Sequence, residues 1–65
     1  MNLNLLKYYI NEHQDSIEAL AVALNIHYNT LSLKLNGKRK FTQNEIKIIS
    51  DRYSLTAEQI IKVFF

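Results

Sequence analysis

Few side chains in this sequence are equipped for covalent or metal chemistry. Two histidines, His13 and His27, are the only groups suited to proton transfer near neutral pH or to nitrogen ligation of a metal, and there is no cysteine. Neither histidine has a second His, a Cys or a carboxylate at a ligand spacing such as H-E-x-x-H. The expectation is therefore no catalytic residue, no metal site, no cofactor and no enzymatic activity. The carboxylates Glu12, Asp15, Glu18, Glu45, Asp51 and Glu58 read as helix caps and solubilising surface.

What remains is the chemistry of cations and amides. The net charge of +2 is too small by itself to announce a polyanionic partner, but its distribution is uneven. Lys34, Lys38, Arg39 and Lys40 fall between Tyr28 and Lys40, and no acid does, so half of the eight Lys and Arg share thirteen positions. A basic segment free of acids is the electrostatic footprint of a phosphate-binding surface; a solvated lysine-rich loop is the plainer reading. If Leu31 and Leu35 face a core, helical spacing turns Asn29, Leu33 and Asn36 outward, flanked by Ser32 and Lys34. Such a stripe suits base edges in a major groove: asparagine reads adenine, lysine reads guanine, and a leucine methyl meets the thymine methyl. Against this stands an ordinary polar surface with one stray leucine.

The elements that must carry these groups are legible from punctuation. Sixty-five residues allow one small domain, 1–65, and a 48% hydrophobic composition is that of a folded chain. No proline and a single glycine, Gly37, leave no turn chemistry for β-hairpins, so the fold class is all-α. Leu3, Leu6 and Ile10 predict a helix over 4–12, with Leu5 and Tyr9 on the adjacent stripe. A capping box of Asp15 with Glu18 is expected to open a helix over 16–24, and Asn25 to make a tight turn at 25–27. The third helix spans 28–36 and is closed by Gly37. Thr42 with Glu45, and Thr56 with Gln59, form two further boxes, each with a hydrophobic staple: Phe41 with Ile46, and Leu55 with Ile60. They predict helices at 43–53 and 57–64. No apolar run approaches the ~18 residues of a membrane span, and no secretory leader is seen; a soluble, cytoplasmic protein is expected.

The segment Ala19-Leu20-Ala21-Val22-Ala23-Leu24-Asn25-Ile26-His27-Tyr28-Asn29-Thr30-Leu31-Ser32, followed by Asn36-Gly37-Lys38, resembles the helix-turn-helix of the Cro and phage-repressor family. In the family pattern Ala21 is the small residue where two helices cross, and Ile26 plugs the turn. Asn25 stands where the family usually has glycine, and Lys34 where it often has an apolar residue. The resemblance extends over nearly the whole chain and implies a lambda-repressor-like bundle of five short helices. It implies base contacts from Tyr28, Asn29, Ser32 and Leu33, with Lys34 at a base or at a phosphate. It implies phosphate contacts from Ser16, Thr30, Asn36, Lys38 and Lys40, from Arg39 at a phosphate or toward the minor groove, and from the amides of Gln43 and Asn44.

The C-terminal Val63-Phe64-Phe65 adds more apolar surface than a small monomer can bury beside Tyr53, Ile60 and Ile61. A homodimer through the last helix is expected, with Ile61, Phe64 and Phe65 at its interface. The function expected is that of a sequence-specific double-stranded DNA-binding regulator, a Cro-like repressor on a palindromic operator, without small-molecule substrate or membrane. The alternative is a helical protein-interaction module, an antirepressor or small phage inhibitor, on the same scaffold. Exposed leucine and modest net charge favour the second; the acid-free basic run favours the first.

Overall fold

Helix follows helix in this chain because each segment opens on its own capping side chain. The computed structural model describes residues 1–65 and contains five helices and no strand. They are α1 (Leu3–Glu12), α2 (Ile17–Leu24), α3 (Tyr28–Leu35), α4 (Gln43–Arg52) and α5 (Ala57–Phe64), each within a residue of the expected bounds.

The starts are side-chain caps. Thr42 and Thr56 accept the amides of Glu45 and Gln59, whose side chains in turn accept the cap residue's own amide, so both expected boxes are present. At α2 the expected box of Asp15 and Glu18 is replaced by a cap from Ser16, which accepts the Ala19 amide at 3.0 Å. Asp15 is drawn elsewhere. Its carboxylate accepts the Ser16 amide and receives Arg52 Nε at 2.7 Å, Arg52 Nη2 at 3.0 Å and Tyr53 Oη at 2.7 Å, tying the α1–α2 turn to the end of α4. The Arg52 hydrogen bond outweighs burial and, with Tyr53, holds the Asp15 carboxyl well below the usual carboxylate range. Burial, together with the hydrogen bond donated to Asp15, pushes the Tyr53 phenol above its ordinary value.

The stops share one device. After each of α1 to α4 one residue enters the left-handed region, Gln14 (φ 54°), Asn25 (φ 56°), Gly37 (φ 77°) and Ser54 (φ 53°). The following amide then reaches back five residues: Asp15 to Ile10, Ile26 to Ala21, Lys38 to Leu33 and Leu55 to Ser50. This is the Schellman closure, and it satisfies helix-end carbonyls that would otherwise be orphaned. Asn25 does at α2 what Gly37 does at α3, as the sequence leads one to expect.

Eleven side chains form the core, among them Leu6, Leu20, Leu31, Ile49 and Val63 with essentially no exposed surface. α2 packs on α3 and α4, while α5 packs on α1 and α4. The Cα radius of gyration, 10.5 Å, is that of one well-packed domain, for which about 10.7 Å is expected at this length. One expectation is corrected here. Phe64 does not lie on the outside of α5: it is 6% exposed and packs edge-on to Phe41 with ring centres 5.5 Å apart. Val63 and Phe64 both turn inward from α5 and close the core, leaving Phe65 and Ile61 outside. No helix is long and apolar enough to cross a membrane.

Candidate functional site

The acid-free segment can be followed residue by residue. Leu31 and Leu35 are buried, which fixes the rotation of α3 and turns Tyr28, Asn29, Leu33 and Asn36 outward, with Thr30 and Ser32 half-buried on the flanks. Leu33 is 41% exposed, an apolar side chain in the middle of a polar stripe. His27 caps the helix: its Nδ1 accepts the Asn29 amide at 3.1 Å.

Lys34 is the exception to the expected surface. It is 6% exposed, and its Nζ donates to Glu45 Oε1 at 2.5 Å, with the Phe41 ring 5.9 Å away. It is therefore placed neither at a base nor at a phosphate, because its ammonium is spent on an internal ion pair. The physical reason lies in the spacing. Lys34 follows Leu31 by three residues and precedes Leu35 by one, so it sits about 60° from Leu31 on the core side of the helix. Glu45 is likewise not solubilising surface. One oxygen, Oε1, accepts both Lys34 Nζ and the Thr42 amide, so the ion pair and the α4 capping box are one network. Burial raises the Glu45 carboxyl, but the Lys34 and Thr42 hydrogen bonds outweigh it and hold it below its ordinary value.

This network sets the relation of three neighbouring features. Between the partners lies the loop 36–42, whose Lys38, Arg39 and Lys40 are exposed and enter no ion pair. Beyond it, the first turn of α4 exposes Gln43 and Asn44, whose amides have no acceptor within the chain because Thr42 takes only the Glu45 amide. Two free N–H groups at the positive end of a ten-residue helix, beside three free cations, make a surface suited to anions. At the start of α2, Ser16 uses its oxygen as an acceptor, so the hydroxyl proton remains free to donate.

Sequence reasoning missed the Lys34–Glu45 pair, although a signal existed: a lysine at core spacing in one helix and a glutamate at the third position of the next. It also missed the cluster of Asp15, Arg52 and Tyr53, with the His13 ring tilted against Tyr53 at 5.0 Å between centres. Comparison of the chain with protein-family models, with curated proteins and with solved structures returns no match.

Proposed function

We propose that this chain is a sequence-specific DNA-binding transcriptional regulator, a Cro-like repressor, in which α2, the turn at Asn25–His27 and α3 work as a helix-turn-helix. The observation that carries the reading is the exposed, acid-free surface in which the amide stripe of α3 runs into Lys38–Arg39–Lys40 and the free amides of α4. In this reading Tyr28, Asn29, Ser32 and Leu33 approach base edges in the major groove, with Leu33 against a thymine methyl. Ser16, Thr30, Asn36, Lys38, Arg39, Lys40, Gln43 and Asn44 hold the phosphates on either side and fix the docking register. Lys34 acts from inside, by holding α3 against the start of α4.

The protein acts as a homodimer on a palindromic operator. Supporting this, Ile61 and Phe65 stand out from α5 at 59% and 77% exposure. Two copies place two recognition helices about one helical turn apart, which one short helix needs for useful specificity. Repression follows from occupancy of the operator.

Charge reversal tests the reading. Lys38→Glu with Lys40→Glu is expected to weaken duplex binding at every sequence and to make the dependence of log affinity on log salt shallower by about two, one contact per lysine. One observation favours a protein partner instead: with Lys34 internally neutralised the surface keeps three cations, and Leu33 is exposed among them. A protein-binding module contacting its partner through apolar side chains responds to Leu33→Ser and is indifferent to the lysine reversals.

A further inference from the structure

The amide stripe of α3 does not stop at the end of the helix. Asn36, its last member, forms one wall of an open cleft of about 360 Å³ whose other polar walls are Asn2, Asn4 and Lys7 from the start of α1. Asn4 and Lys7 are one turn apart and both exposed on α1, Asn4 well away from the buried Leu6 and Ile10 and Lys7 about 60° round the helix from Ile10, at the margin of the core-facing side. The cleft contains three amide side chains and one lysine in no ion pair, and no carboxylate. The first acid of the chain is Glu12, so the opening of α1 is as acid-free as the segment from Tyr28 to Lys40.

Two contacts hold this wall in place beside the basic loop. A β-carbon on Gly37 would lie 3.7 Å from Leu3 Cδ1, so the first turn of α1 is seated against the turn that closes α3. On the other side the Asn2 amide donates to the Val63 carbonyl at 2.8 Å, anchoring the same segment to α5. Asn2 Oδ1 caps α1 through the Leu5 amide at 3.1 Å, which leaves the two Nδ2 hydrogens as donors. The wall is thus in contact with both α5 and the turn that closes α3.

We infer that the start of α1 is a second backbone-binding element, in which Lys7 and Asn4, with Asn2 and Asn36, receive a phosphodiester of duplex DNA beyond the C-terminal end of α3. The inference rests on the DNA-binding reading and extends its footprint to residues outside the helix-turn-helix. Lys7 also borders the neighbouring cleft that holds Asp15, but the Asp15 carboxylate is taken by Arg52 and Tyr53, and lysine and amide donors are side chains that bind phosphate oxygens without reading sequence. The cleft would fix how far α3 advances along the groove.

The test is a set of salt titrations of labelled-duplex anisotropy with wild type, Lys7→Ala, Asn4→Ala and the pair Lys38→Ala/Lys40→Ala. All four positions are exposed, so circular dichroism and thermal midpoint should be unchanged. The expected result is an affinity loss of about three- to tenfold for Lys7→Ala at every sequence, with a salt slope lower by about one. Asn4→Ala should lose less and keep the slope. If the Lys38/Lys40 pair responds while Lys7→Ala and Asn4→Ala bind like wild type, the second element is refuted and the DNA reading stands. Loss of affinity in Lys7→Ala with an unchanged slope also refutes it, since no phosphate contact has then been removed. If wild type itself shows no salt-dependent duplex binding, the DNA reading falls and takes the inference with it.

Discussion

Replacing Glu45 with glutamine isolates the charge of the buried network from its geometry. Glutamine keeps an oxygen for the Thr42 amide, so the capping box can persist, but the Lys34 ammonium loses its counter-charge at 6% exposure. Breaking one side of a buried pair costs about 3–5 kcal/mol when the other charge stays in place. Partial escape of the ammonium along its four-carbon stem lowers that figure. About 3 kcal/mol is expected, a large fraction of the about 3–10 kcal/mol available to a domain of this length. Lys34→Met combined with Glu45→Gln removes both charges, and its stability should return to within about 1 kcal/mol of wild type. Urea unfolding followed by circular dichroism measures each variant and gives the coupling from the double-mutant cycle. A single Glu45→Gln variant within 0.5 kcal/mol of wild type, or a double variant no better than the worse single, would refute the buried-pair argument. A double variant as stable as wild type should also keep duplex affinity, since Lys34 acts on α3 only through the fold; loss of affinity with a shallower salt slope at unchanged stability would instead make Lys34 a phosphate contact.

Asp15 makes stability depend on acid. Its folded carboxyl lies below the unfolded value near 4, so its contribution is present above that value and is lost as pH falls through and below it; Asp15→Asn should be less stable than wild type at pH 7, the two converging in acid melts. Tyr53 shows the opposite sign: its folded phenol is raised, so stability is lost as pH climbs above about 10, and Tyr53→Phe should flatten that alkaline limb. Ser54 adopts φ 53° at the close of α4, and Ser54→Gly is expected to raise stability by about 1 kcal/mol in urea. Phe64→Ala should cost about 3–5 kcal/mol, whereas Phe65→Ala should leave stability nearly unchanged and lower the mass seen by sedimentation toward one chain. A wild-type mass of one chain at high micromolar concentration would contradict the dimer.

The helices were legible because their signals are local. Thr42 with Glu45 and Thr56 with Gln59 declare two starts within four residues each, and Gly37 declares a stop. Asp15 misled for the same reason. A local rule made it a cap for Glu18, but its partners, Arg52 and Tyr53, are 37 and 38 positions away, and Ser16 caps in its place. Gln14 and Ser54 are neither glycine nor asparagine, yet both sit in the left-handed region, where the amides of Asp15 and Leu55 reach back to Ile10 and Ser50 and close α1 and α4. At the site, Tyr28 was singled out only by the resemblance, while the outward positions of Asn29, Leu33 and Asn36 followed from the leucine spacing alone. Lys34 did not, because its charge suggested solvent while its spacing pointed inward, and only the fold brings Glu45 to meet it. The same holds at the chain's end, where two adjacent phenylalanines part company and one fills the core.

Selection of the purified protein against a random-sequence duplex pool at low salt, with sequencing of the enriched fraction, puts the central claim to trial in one step. The account predicts enrichment of a palindrome whose half-sites lie about 10 bp apart, with the preference at the half-site altered by Asn29→Ala and Leu33→Ala. A pool returned without enrichment, bound only weakly and by charge, would contradict sequence-specific recognition and leave the exposed face of α3 to a protein partner.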